Sequence, residues 1–591
     1  MPAVTPYRID RINKKTTDIN PVSLAKRAGF IYKCLLVVSV VFVVRLFYIQ
    51  VIKHDYYHKA ALLSQLKQYV IPAERGNIYA YDGENPTPLV LNEKKYTLYA
   101  DPKYVKDPLK EASEIAKIIG GDINKISDLL KTPDLRYVII AKKLTKEQSN
   151  KLNDLNFNGV GTREESYRTY PNNGLAAQLV GFVNDEGKGQ YGLEGYYDEE
   201  LGGTPGYLKA ITDSRGIPLA SNQGNTLEEP VRGKSVNLTI DVNMQRIAED
   251  KLKEGLQQAK SKNGSVIILD SHTGAVKAMA SYPSFDPSNY SKEKDASVYK
   301  NAAVADAIEP GSIMKPLLIA AALDSGGISP GFTFTNTGSV TIDGLTIKNS
   351  HQWGIPVEDL QGIMQRSLNT GVVAVLQAIG GGEINQKARN FWYDYLTNHY
   401  FFGQATGIEQ TAETSGTVPK PDEGYALNFK YANMTFGQGL GVSLIQMAAA
   451  ANSVINGGNY YKPYIVDKID NQKQTPKLIK TNTVSKAASD QLVDIMVKVA
   501  NSVYFNALRK GYIVGGKTGT AEVAGPDGSY YTDRADGTFF GFVGGNHPDY
   551  TILVISHTPD TVGSAGIAAA EPIFANISQA FIDNGMVSPA N

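Results

Sequence analysis

EPGSIMKPLLIAAAL, residues 309–323, decides how this 591-residue chain is read. Pro310-Gly311 makes a turn. Pro316 is tolerated only in the first turn of a helix, so it sets the helix start close to Ser312. The apolar run that follows predicts a buried helix. Lys315, three residues on, shares a face with Ser312. Ser312 thus stands at a helix N-terminus, among free backbone N–H groups and the positive end of the dipole. A lysine held on an apolar helix beside another cation can lose its proton and serve the serine as a base. Ser-x-x-Lys alone is weak, since it also occurs at Ser23, Ser64, Ser291 and Ser297.

Two further stretches strengthen it. Ser367-Leu368-Asn369 lies 55 residues after Ser312. Lys517-Thr518-Gly519-Thr520 continues a strand-like run at 512–514, so its side chains alternate across a sheet edge. Gly519 is expected to let substrate approach the backbone.

Around these motifs, 236–240 reads as a strand and 242–258 as a helix. Residues 266–269 with 275–280, and 538–543 with 551–556, read as hairpins. A stripe of Ile573, Phe574, Ile577 and Phe581 marks a terminal helix at 571–583. Residues 335–347 read as another hairpin. Helices beside antiparallel strands make the fold class α+β. Residues 53–232 mix short strands with amphipathic helices and show no catalytic chemistry, and 203–234, rich in Gly, Pro, Ser and Asn, read as a linker.

The N-terminus has another texture. Residues 34–44 (CLLVVSVVFVV) are uncharged, and the apolar character runs from about 28 to 52, about the length a bilayer needs. Arg8, Arg11, Lys14, Lys15, Lys26, Arg27 and Lys33 precede or flank it, against Asp10 and Asp18. That asymmetry predicts a single membrane anchor with the N-terminus cytoplasmic and the body outside. A cleaved signal peptide is weaker, because no small-x-small site follows.

Composition excludes other classes. Lys+Arg and Asp+Glu are both 59, which argues against a basic nucleic-acid binder. The lone cysteine, Cys34, lies in the apolar segment, which leaves no disulfide scaffold, no multi-cysteine metal site and no thiol nucleophile in the body. No metal or organic cofactor is expected. His272, His351 and His557 read as loop or strand-end residues, Trp353 as a packing or cleft residue, and Glu423 as a loop carboxylate rather than a deacylating base.

The three motifs in this order resemble those of class B penicillin-binding proteins, monofunctional D,D-transpeptidases of bacterial peptidoglycan. PAERGNI (72–78), ESYRTYP (165–171) and GLEGYYD (192–198) look like the family's pedestal segments. GYIVGGKTGTA (511–521) and GPDGSY (525–530) lean toward its division-specific (FtsI) type. The resemblance implies a cytoplasmic tail (1–28), a transmembrane helix (29–52), a mixed α/β pedestal of dimerisation type (53–232) and a short C-terminal tail (586–591). Between them, 233–585 would be a transpeptidase domain with a central antiparallel sheet flanked by helices.

It also implies Ser312 as nucleophile, Lys315 as base, Ser367 as proton relay and Asn369 as a hydrogen-bond partner of the donor peptide. Lys517, Thr518, Gly519 and Thr520 would receive the substrate carboxylate, and the N–H groups of Ser312 and Thr520 would form the oxyanion hole. Implied partners are peptidoglycan stem peptides, β-lactams, a membrane glycan polymerase and other division proteins. The alternatives are an elongation-specific transpeptidase, a β-lactam sensor or β-lactamase-like hydrolase, and an idle scaffold.

Overall fold

The structure is a computed structural model that describes residues 21–57, 66–132, 135–211, 226–351, 354, 356–503, 511–524, 530–560 and 564–590. The basic residues at 8–15, Trp353, most of the 525–530 stretch and the middle of the expected linker lie outside the described residues. The chain divides into two compact units, 1–72 with 205–230, and 73–204 with 231–591.

In the first unit, helix Pro21–Phe47 continues into a π-helical turn, Tyr48–Ile52. Within the 25 residues Ala28–Ile52 an 18-residue stretch reaches mean hydropathy 2.5, and none of that stretch is packed inside the protein. That length and exposure suit a bilayer rather than a core. Residues 21–28 of the helix fall within the stretch expected to be tail. The unit also holds a three-stranded antiparallel sheet in the order Leu66–Ile71, Gly206–Ile211, Thr226–Glu228. Residues 206–211 and 226–228 are therefore strands, not linker. Gly206, taken as a linker signal, is instead a close-packing residue, since a Cβ there would lie 2.3 Å from the Glu228 carbonyl.

The second unit is built on a five-stranded antiparallel sheet ordered Val276–Tyr282, Asn263–Asp270, Pro548–His557, Tyr530–Gly544, Ile513–Ala524. Two of the three expected hairpins, 266–269 with 275–280 and 538–543 with 551–556, are in it. Side chains alternate between two buried faces: Val266 and Ile268 pack with helices Val242–Gln258 and Glu571–Asp583, while Ile267 and Leu269 join the larger core. Burial on both faces explains the unbroken apolar run at 266–269. The larger core surrounds helix Lys315–Asp324, on which Leu317 to Ala322 are all fully buried. A helix apolar on every side has to be interior.

A second sheet runs Gln472–Lys473, Val466–Ile469, Val236–Asp241, Ile78–Asp82, Asn85–Ala100, Val138–Leu144, with Val160–Thr169 also pairing Asn85–Ala100. Ile78 and Val236 are partners in its one parallel pairing, Ile78–Asp82 with Val236–Asp241. The three segments noted at 72–78, 165–171 and 192–198 meet at Glu194, which is fully buried. Arg75 Nε donates to it at 2.7 Å, Arg168 pairs with its other oxygen at 2.8 Å, and Arg75 also reaches Asp198 at 2.7 Å. A buried carboxylate is tolerated here because two guanidinium groups share it.

Candidate active site

The turn expected to carry the nucleophile is a 3-10 turn, Gly311–Met314, leading straight into helix Lys315–Asp324, with Pro316 in its first turn as expected. Ser312 is half-buried. Its turn is clamped from three sides. Thr538 Oγ1 donates to the Pro310 carbonyl at 2.8 Å. Gly311 N donates to the Gly437 carbonyl at 3.2 Å. The Glu309 carboxylate accepts from Gly439 N at 2.9 Å and from the Tyr530 hydroxyl at 2.9 and 3.0 Å. Gly437 has φ +81°, and a Cβ on it would lie 2.2 Å from the Gly311 carbonyl. Only glycine fits there.

Lys315 is fully buried. Its Nζ donates to the Ser367 carbonyl at 2.6 Å, to Ser367 Oγ at 3.1 Å and to Asn369 Oδ1 at 2.9 Å. Burial pushes its pKa well below the ordinary lysine value, and the nearby Lys517 charge adds to that.

Ser367 takes a conformation that sequence does not announce. Helix Leu360–Gln365 ends at Arg366, and Ser367 follows in the left-handed region at φ +54°. Leu368 N donates to the Ile363 carbonyl at 2.9 Å and Ser367 N to the Met364 carbonyl at 3.3 Å, the Schellman pattern of a helix end. Glycine is the usual residue at that position. A serine held there costs about 1–3 kcal/mol and marks a place where the surroundings dictate the backbone. Here that backbone turns both Ser367 oxygens toward one amine.

Asn369 opens helix Asn369–Gly380, and its Nδ2 donates to the Lys348 carbonyl at 3.1 Å. Next to it, Asn349 accepts from Thr370 N at 3.0 Å and donates to Thr370 Oγ1 at 2.9 Å. The end of hairpin Ser339–Ile342 with Leu345–Lys348 thereby braces the second motif. The hairpin expected at 335–347 is thus present, but its bracing role through Asn349 was not legible in the sequence.

Lys517 lies on the edge strand Ile513–Ala524 and is fully buried. Its Nζ donates to the Thr518 carbonyl at 2.8 Å and contacts Thr518 Oγ1 at 3.3 Å, and burial brings its pKa down to about 7. Thr518 and Thr520 are half-buried while Lys517 and Gly519 are buried, the alternation expected of a strand. Gly519 also allows a close approach within the protein. A Cβ there would lie 2.2 Å from Thr538 Oγ1 and 3.0 Å from the Pro310 carbonyl, so this glycine seats the strand on the nucleophile turn.

Other singled-out groups lie apart from these contacts. Glu423 is two-thirds exposed and pairs with Lys420 at 2.7 Å. His557 Nδ1 bonds Asp536 at 2.8 Å at a strand end, and His272 is exposed near Asp549. Glu309, Thr538 and the 437–439 turn were not identified from sequence. Only the EPG run before Ser312 hinted at Glu309.

The family profile described as the penicillin binding protein transpeptidase domain matches residues 264–579, and that of the penicillin-binding protein dimerisation domain matches 70–238. Stage V sporulation protein D of Bacillus subtilis (strain 168) is 28% identical, over 95% of this chain and 86% of its own length. Peptidoglycan D,D-transpeptidase FtsI of Escherichia coli (strain K12) is 27% identical, over 93% and 90%. Among solved structures, Penicillin Binding Protein 2X from Streptococcus thermophilus superposes with TM-score 0.69 at 22% identity, covering 88% of this chain and 80% of that one. At that identity the likeness is one of fold.

Proposed function

The chain belongs to the penicillin-binding protein transpeptidase family, and from that premise we propose that Ser312 is its acylated nucleophile. The enzyme is a serine-type peptidoglycan D,D-transpeptidase. It is a single-pass membrane protein.

In the first step Ser312 Oγ attacks the penultimate D-Ala carbonyl carbon of a stem peptide, and neutral Lys315 takes its proton. The C–N bond to the terminal D-Ala breaks. That leaving amine receives the proton from Lys315 through Ser367. In the second step an amine of a neighbouring stem peptide attacks the ester. Its proton returns to Ser312 Oγ, and the cross-link forms. Splitting acyl transfer at an ester replaces one hard step with two easier ones. Asn369 binds the donor backbone, and Lys517 with the Thr518 and Thr520 hydroxyls holds the terminal carboxylate. The Ser312 and Thr520 N–H groups take the oxyanion. A β-lactam presents an amide beside a carboxylate and acylates the same serine.

The observation that carries this reading is the convergence of Ser367 and Asn369 of the second motif on the buried Lys315 amine. The test is a labelled penicillin, with the adduct located by peptide mass spectrometry. A lasting adduct on Ser312, absent from Ser312→Ala, is the expected result. Rapid release of hydrolysed antibiotic would turn the reading toward a β-lactamase.

Residues 1–28 are assigned to the cytoplasm, 29–52 to the membrane, 53–232 to a pedestal, 233–585 to catalysis outside the membrane and 586–591 to a tail. The basic flank supports that orientation. The site of action is the division septum, where a glycan polymerase and other division proteins are the partners. A fluorescent fusion found only along the lateral wall would contradict the septal role.

A further inference from the structure

Two residues outside the three motifs bear directly on the strained Ser367. Arg366, the residue before it, donates from Nε to Glu358 Oε1 at 2.8 Å, and its Nη2 donates to Oε2, a two-pronged pair. Glu358 is 3% exposed and sits on strand Val357–Asp359, whose next residue, Asp359, caps helix Leu360–Gln365 by accepting from Gly362 N at 2.7 Å. The pair lies flat across Gly362. A Cβ there would be 2.2 Å from Glu358 Oε2 and 3.1 Å from the Arg366 guanidinium. The start and the end of the helix are therefore tied together over a residue with no side chain. On the other side of Ser367, Leu368 is fully buried. Ser367 is thus gripped from both neighbours while its own two oxygens face Lys315.

We propose that Glu358 and Arg366 are positioning residues for the acylation step, fixing the left-handed turn that aims Ser367 at Lys315. The inference rests on the reading of Ser312 as nucleophile. Without the pair, Arg366 is released and Ser367 relaxes toward an ordinary backbone. Lys315 then loses two of its three acceptors. Carbonyl and hydroxyl acceptors favour the ammonium form, so their loss lowers the pH at which Lys315 becomes neutral. The relay to the leaving amine is lost as well. The charged groups facing these two centres are Lys517 against Lys315 and Asp359 against Arg366, and both stay in place in the variants below.

The experiment measures the second-order rate of acylation by a fluorescent penicillin from pH 5 to 9, per mole of acylable serine titrated at completion. It uses the full chain in detergent, as the parent and as Glu358→Gln, Gly362→Ala and the milder Arg366→Lys. The expected result is a fall of about tenfold or more for Glu358→Gln and Gly362→Ala, with a smaller fall for Arg366→Lys. In each case the acid limb of the pH profile moves to lower pH. Titration per acylable serine removes the contribution of unfolded chains, and Arg366→Lys keeps an ion pair if the other variants fail to fold. Unchanged rates, or lower rates with the acid limb fixed, would overturn the proposal by making the pair structural only. A parent chain that forms no adduct would instead overturn the reading of Ser312.

Discussion

Lys517→Met should make the protein more stable and less active. The lysine is fully buried, its pKa falls from 10.5 to about 7, and the cause is burial. Each pH unit between the unfolded and folded values is worth about 1.4 kcal/mol. At pH 7 the lysine therefore destabilises the folded chain by about 4 kcal/mol. Methionine removes that penalty and keeps most of the volume. It forfeits the bond from Nζ to the Thr518 carbonyl, about 1 kcal/mol, which leaves a net gain of about 3 kcal/mol.

The sign depends on pH. Between about 7 and 10.5 the unfolded chain binds a proton here that the folded chain does not, so parent stability rises with pH across that window. The advantage of the Met variant is full below about pH 7 and gone near 10.5. Thermal unfolding of the two proteins in detergent at pH 6, 7, 9 and 10.5, with penicillin acylation followed in parallel, measures both effects. Acylation should fall by at least about tenfold as the proposed carboxylate anchor is lost. A Met variant that melts below the parent at pH 7, or a gap that stays constant to pH 10.5, would refute the reasoning.

Gly437→Ala pushes a methyl group into the Gly311 carbonyl from a backbone at φ +81°. It should lower the acylation rate by at least about tenfold while the fold, read by circular dichroism, persists. Arg75→Ala leaves Glu194 buried with one guanidinium in place of two, and should destabilise the protein by about 3–5 kcal/mol in urea unfolding.

Much of the catalytic half was legible in sequence because its signals are local. Pro316 set the start of the nucleophile helix, and the stripe from Ile573 to Phe581 matched helix Glu571–Asp583. The burial alternation around Lys517 followed from strand geometry. What stayed hidden was non-local or contrary to propensity. Strand Asn85–Ala100 opens with Asn-Pro-Thr-Pro, a run that reads as a turn. The strands at 206–211 and 226–228 lie in a stretch whose glycines and prolines suggested a linker. Nothing in Ser367 announces a left-handed residue, because the side chain that normally marks one is glycine's. The partners of Glu309 at Gly439 and Tyr530 are more than a hundred residues away, beyond any pattern of spacing.

The parallel pairing of Ile78–Asp82 with Val236–Asp241 bears on how the chain is born. Strand Ile78–Asp82 has its hairpin partner at once in Asn85–Ala100, but its other edge waits for residues made much later, and beyond those for Val466–Ile469. During synthesis the early sheet carries a bare edge, the kind that pairs with other chains and aggregates. A fragment ending at 232 would keep that edge permanently. Soluble production of residues 53–232 alone should therefore fail, while a longer piece reaching past Ile469 can close its own sheet.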